Sequence, residues 1–134
     1  MTWLLDTNTL VYILNGEAGV RARANEAGRV GRVVTSIVVV AELLYGVERS
    51  TRRDANRRHL EKELEPLEIV PLSLGAAAHF GRLKAELRAK GINKADLDML
   101  IAATVLDLGA TLVTNDGALL DGTISGLTVE NWKV

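Results

Sequence analysis

Four acidic residues, Asp6, Glu42, Asp98 and Asp116, stand at positions where a carboxylate needs a reason. Asp6 directly follows the apolar run at residues 3–5, and Asp116 follows residues 111–114 through the turn-like Asn115. Glu42 lies in a segment of helical period, where its neighbours one turn away are Val38, Val39, Tyr45 and Gly46. Asp98 lies in ADLDMLIAATVL, where Ile101, Ala102 and Val105 stand three, four and seven residues on. Residues three and four apart share a helix face, so both acids fall on apolar faces. An ionised carboxylate there is strongly disfavoured without a charged or metal partner. Plainer readings stand beside this one: Asp6 as an N-cap, Asp116 as a turn residue of Asn-Asp-Gly, and Glu42 paired with Arg49 two turns on. Brought together, the four would repel and raise one another's pKa, and a hard cation would relieve that strain. Mg²⁺ or Mn²⁺ suits an all-oxygen site that keeps several waters; Ca²⁺ asks for more protein ligands, and no EF-hand loop is present. Asp96 reads as structural, at the third position of a helix capped by Asn93. Asp54, Asp107, Asp121 and the glutamates at 61, 63, 65 and 68 read as solvated surface.

The elements that must position these acids alternate in period. Residues 3–5, 32–35, 67–72, 110–114 and 127–130 read as short strands, with Pro71 suiting an edge or a strand end. Helical spacing appears at Leu10, Ile13 and Leu14, across residues 17–27, from Ser36 through Val47, from Ser73 to Gly91, and from Asn93 to about Leu108. Ser36 and Ser73 stand where N-caps are needed, and Gly109 stands where a helix stops. The alternation predicts an α/β fold: a central, mostly parallel sheet of four to five short strands, flanked by helices and joined by right-handed crossovers. Ligands of such sheets bind beyond the carboxyl ends of the strands, and Asp6 and Asp116 both fall there.

A chain of 134 residues with 48% hydrophobic content can bury one continuous core, so one domain is expected. The absence of Cys excludes disulfides and thiolate metal sites, and two His residues cannot build a His-rich zinc site. His59, in a charged helix, and His79, between Ala78 and Phe80, read as packing rather than catalysis. No apolar stretch reaches the roughly 18 residues of a membrane span, and the first residues lack the pattern of a signal peptide. A cytoplasmic protein is expected. The net charge of −1 argues against a generally basic nucleic-acid-coating protein. Residues 49–62, RSTRRDANRRHLEK, nevertheless carry six Lys or Arg against Asp54 and Glu61. This stretch reads either as a solvated helix face or as a phosphate contact, with Arg49, Arg52 and Arg53 as its candidate residues.

Taken in order, LLDTN, TSIVVVAELLYGVERS around Glu42, ADLDMLIAATVLDLGATLVTND around Asp98 and Asp116, and the closing GLTVENW resemble PIN-domain ribonucleases. The short format is similar to the VapC toxins of bacterial toxin–antitoxin pairs. The resemblance spans nearly the whole chain and leaves residues 51–72 without a distinctive signature. It implies one PIN domain over residues 1–134, with the family's acids at Asp6, Glu42, Asp98 and Asp116. Asp6 and Asp98 are then the foremost Mg²⁺ ligands, Asp116 a further one, and Mn²⁺ a substitute ion. Asn8 and Thr114 match polar positions that support the acids or the scissile phosphate. The activity implied is that of the toxin of a type II pair: a Mg²⁺-dependent endoribonuclease that hydrolyses RNA phosphodiesters with a metal-activated water. Its implied partners are RNA, a cognate VapB-like antitoxin, and a second copy in a homodimer that forms a heterotetramer or larger assembly with the antitoxin. One departure is that many relatives carry an aromatic residue where this chain has Leu119 and Leu120. Two other readings fit part of the chain. A non-catalytic PIN-like module would bind RNA or protein, although four intact acids count against it. A haloacid-dehalogenase-like phosphatase would need a second Asp two residues after Asp6, where Asn8 stands.

Overall fold

The computed structural model describes residues 1–133. At its centre is β1 (Thr2–Leu5), flanked by β2 (Arg32–Ser36) and then β3 (Glu68–Val70) on one side, and by β4 (Thr111–Val113) and then β5 (Val129–Glu130) on the other. Every pairing is parallel. The inner strands read as uninterrupted apolar runs because both of their faces are covered: Leu4, Leu5, Val34, Leu112 and Val113 are all fully buried. The outer strands are short and more exposed, as unpaired edges usually are. The strand expected over residues 67–72 is only three residues long and ends just before Pro71, which has no N–H to continue a ladder.

Helices α1 (Thr7–Leu14), α2 (Ala18–Val30), α3 (Ile37–Arg49), α4 (Arg53–Leu64), α5 (Leu74–Ala89), α6 (Asp96–Leu108) and α7 (Gly117–Leu120) fill the connections. Both serine caps form as expected: Ser36 accepts from Val39 N at 3.1 Å and Ser73 from Ala76 N at 3.0 Å. Gly109, at φ 64°, closes α6 in the left-handed conformation that glycine adopts without penalty. The basic stretch is helical over α4, with Leu60 its buried anchor. The turn expected at Asn-Asp-Gly is instead the start of the one-turn helix α7, capped by Asp116.

Two acids differ from their expected roles. Asp96 is not the third residue of a helix capped by Asn93. Ala95 is extended and α6 begins at Asp96 itself, whose carboxylate is taken by Lys84 Nζ at 2.9 Å. Asp107 is exposed, yet it accepts the hydroxyl of Ser73 at 2.8 Å and so braces the cap of α5 against α6.

The start of β2 presses closely on the start of β1. A Cβ on Gly31 would stand 2.4 Å from the Met1 carbonyl oxygen and 2.9 Å from the Trp3 ring, while Arg32 N bonds that same carbonyl at 2.9 Å. Substituting Gly31→Ala is expected to destabilise the fold by about 1–3 kcal/mol, the usual cost of overpacking, measured as a lower urea midpoint at unchanged slope. A midpoint equal to wild type would show that the N-terminal backbone gives way freely.

Candidate active site

Asp6 is the first residue beyond β1 and also the N-cap of α1. Its Oδ1 accepts from Thr9 N at 2.9 Å, and its own N–H bonds the Val113 carbonyl at 3.1 Å, continuing the β1–β4 pairing by one residue. The cap reading and the cluster reading are therefore compatible. The residue is only 4% exposed. Burial pushes its carboxyl above the ordinary range, hydrogen bonds from the Thr114 hydroxyl and the Thr9 amide act against that, and the charge of Asp116 adds to it.

Thr114, fully buried, joins two of the acids. Its side chain favours the ionised form of Asp6, and its hydroxyl oxygen accepts from Asp116 N at 3.0 Å. Asp116 in turn caps α7 by accepting from Ala118 N at 3.0 Å. Glu42, half-buried in the second turn of α3, accepts the hydroxyl of Thr7 at 2.7 Å. It does not pair with Arg49, whose guanidinium lies over the Tyr45 ring at 5.5 Å.

Asp98 completes the group from the first turn of α6. Its carboxyl is pushed up to about 6, first by burial and then by the charges of Asp116, Glu42 and Asp6, while Lys94 acts in the opposite sense. One half-buried carboxylate thus feels the other three. Among the described residues, no three acidic or His side chains are drawn tightly enough to cage an ion by direct bonds alone. The donors are nonetheless all hard oxygens, and Mg²⁺ characteristically keeps waters between itself and part of its ligand set. The donor chemistry fits such an ion.

The remaining candidates lie further out. Asn8 is exposed in the first turn of α1. Arg52 and Arg53, with Arg58, line an open cavity of about 530 Å³ at the α3–α4 junction that none of the four acids borders. His59 Nε2 donates to the Leu14 carbonyl at 2.9 Å, a packing role. Leu119 is buried in the core, so α7 is anchored without an aromatic side chain. Two residues at the site carried no sequence signal. Thr7 is an unremarkable helix-start residue, and Lys94 meets its partners only through space. Its Nζ pairs with Asp121 at 2.8 Å and donates to the Ala118 carbonyl. The Lys94 ammonium holds the Asp121 carboxyl down at about 2, assisted by the Thr123 hydroxyl and amide.

Comparison with known proteins identifies the family. The PIN domain family model matches residues 3–121, and the chain belongs to the PIN-domain family. It is 35% identical over 133 residues to Ribonuclease VapC2 of Rickettsia felis, with 98% of both chains covered. It is 31% identical over 134 residues to the tRNA(fMet)-specific endonuclease VapC of Shigella flexneri, with 99% of both covered. The fold matches the crystal structure of Rickettsia felis VapBC2 bound to a promoter DNA fragment with a TM-score of 0.94 at 33% identity, over 99% of this chain and 100% of that one. DNA-bound VapBC from Salmonella typhimurium gives 0.90 at 30% identity, over 98% of each. Within the PIN-domain family, then, the chain groups with the VapC ribonucleases, and the phosphatase reading falls away.

The position of Asp98 has a thermodynamic consequence. Its folded carboxyl, at about 6, holds a proton more tightly than the ordinary value of 3.8. Folding therefore takes up a proton between those limits, and the contribution of Asp98 to stability is lost as pH rises through about 4 to 6. In EDTA at low ionic strength, Asp98→Asn is expected to gain stability relative to wild type as pH rises through that window. Thermal melts of both proteins check this, and a pH-independent difference would contradict the cluster.

Proposed function

We propose that the chain is the toxin of a type II toxin–antitoxin pair and acts as a Mg²⁺-dependent endoribonuclease, with Mn²⁺ able to replace Mg²⁺. The observation that carries this reading is the burial of Asp98 within the charge of Asp6, Glu42 and Asp116, in a chain that matches VapC ribonucleases over nearly its full length. We take the PIN domain to span residues 1–134, beyond the matched region, because β5 pairs with β4 and Trp132 is buried in the same core.

In this reading Asp6 and Asp98 hold the ion, and Asp116 and Glu42 reach it directly or through water. Bound Mg²⁺ supplies positive charge for the phosphate and lowers the pKa of an attacking water. The chain's own residues prepare the site. Thr114 fixes Asp6 and Asp116 relative to one another, Thr7 orients Glu42, and exposed Asn8 meets the scissile phosphate. Arg49, Arg52 and Arg53 contact RNA phosphates away from the reacting bond; Arg52 and Arg53 line a cavity that none of the four acids borders. No His is required, consistent with His59 being engaged by a backbone carbonyl. The substrate is single-stranded or loop RNA, whose unpaired backbone can enter such a cleft. The relatives solved as VapBC complexes support a VapB-like antitoxin partner; the homodimer, and its assembly with the antitoxin into a heterotetramer or larger species, follow from the family resemblance alone. Among the described residues no helix is long and apolar enough to cross a membrane, which accords with action in the cytoplasm.

The test is cleavage of total RNA and of tRNA(fMet) in Mg²⁺, Mn²⁺ or EDTA. Cleavage is expected with either metal and not in EDTA, and Asp6→Ala and Asp98→Ala are each expected to lose about 100-fold or more, the scale for removing a preorganised electrostatic group. Metal-independent cleavage, or full activity in both variants, would overturn the mechanism.

A further inference from the structure

Lys94 occupies surroundings unusual for a lysine. Its side chain is 3% exposed, in the loop between α5 and α6, four residues before Asp98. A buried ammonium is strongly disfavoured unless oxygens take its hydrogens. Here Nζ donates to the Ala118 carbonyl and pairs with Asp121, so one side chain crosses from the entry of α6 to α7. From there the path to the site is short. Ala118 has its carbonyl held by Lys94 and its N–H held by Asp116 Oδ1 at 3.0 Å. Besides this tie, α7, a four-residue turn, is held by its one buried side chain, Leu119, and by the Thr114 hydroxyl at the Asp116 amide. The two elements spanned by Lys94 are those that carry Asp98 and Asp116.

We propose that Lys94 is a positioning residue that sets the separation of Asp98 and Asp116 by tying α7 to the start of α6. The inference rests on the metal-dependent reading above. Lys94 acts through Ala118 on Asp116 and contacts neither ion nor RNA. Of its two bonds, the one to the Ala118 carbonyl carries the effect, because it alone reaches the residue whose amide Asp116 caps. The Lys94 ammonium also opposes the three carboxylate charges acting on Asp98. An apolar side chain at this position therefore removes the tie between α7 and the start of α6 and leaves the acids more strongly repelled.

The test compares wild type, Lys94→Met and Asp121→Asn as full chains, each shown to be folded by circular dichroism. Mg²⁺ affinity is measured by calorimetry, and kcat and KM are measured on RNA. Lys94→Met is expected to weaken Mg²⁺ binding by about 10- to 100-fold, the range for residues that orient metal ligands, and to lower kcat similarly with KM for RNA nearly unchanged. Asp121→Asn is expected to remain close to wild type in all three. If Lys94→Met does not fold, Lys94→Gln, which retains a donor for the Ala118 carbonyl, carries the test, with a several-fold loss of affinity expected. Wild-type affinity and kcat in the folded variant, with only the melting temperature lowered, would overturn the assignment. A wild-type chain that neither binds Mg²⁺ nor cleaves RNA would overturn the metal-dependent reading itself, an outcome distinct from failure of the Lys94 variants alone.

Discussion

Mutual repulsion among Asp6, Glu42, Asp98 and Asp116 is the constraint around which the rest of the structure is arranged. Burial and like charge both act against the ionised forms of Asp6 and Asp98, whose carboxyls are raised. Each acid is held by a local feature. Asp6 and Asp116 cap helices with the same carboxylates that face the cluster. Glu42 is fixed by the Thr7 hydroxyl, and Asp98 lies in the first turn of α6, where the helix dipole favours an anion. Structural bonds thus hold the acids in a geometry that electrostatics alone would disperse, and a divalent cation would be bound in part by release of that strain.

The sheet determines where this happens. Chain order proceeds from β1 outward to β2 and β3, then returns to the other side of β1 for β4 and β5. The connections therefore diverge beyond the carboxyl ends of β1 and β4, the kind of switch point at which open parallel sheets open a crevice. Asp6 and Asp116 leave those two strands, and Thr114 bridges them from the end of β4. Glu42 enters from the second turn of α3 and Asp98 from the first turn of α6. The four acids come from separate segments, so a site that they share exists only once the fold is complete.

Much of this was legible in the sequence because two signals coincided at each acid. Asp6 and Asp116 end apolar runs, and Glu42 and Asp98 interrupt apolar helix faces; chemical type and position together separated them from the many surface acids. Serine caps and the glycine stop of α6 were legible for a similar reason, since a local bond fixes each. What escaped depended on partners distant in sequence. Asp96 satisfies the local pattern for a capping box, but Lys84 from α5 claims it. Asp107 reads as surface until Ser73 is brought against it. Asn-Asp-Gly gives the same local signal for a turn as for the capped start of α7. Lys94 follows the same pattern, for nothing nearby in sequence marks it. The basic residues 49–62 illustrate a different limit. Their charge was countable, but its direction was not, and Arg52 and Arg53 line a cavity that the acids do not border.

The central claim is that four carboxylates from separate elements form one divalent-metal site, and it is tested most directly by anomalous diffraction from crystals equilibrated with Mn²⁺. The account predicts a Mn²⁺ peak bounded by Asp6 and Asp98, with Asp116 and Glu42 within direct or water-bridged reach, and loss of that peak in Asp98→Asn. A well-ordered site without a peak at millimolar Mn²⁺, or a peak bound elsewhere on the chain, would contradict it.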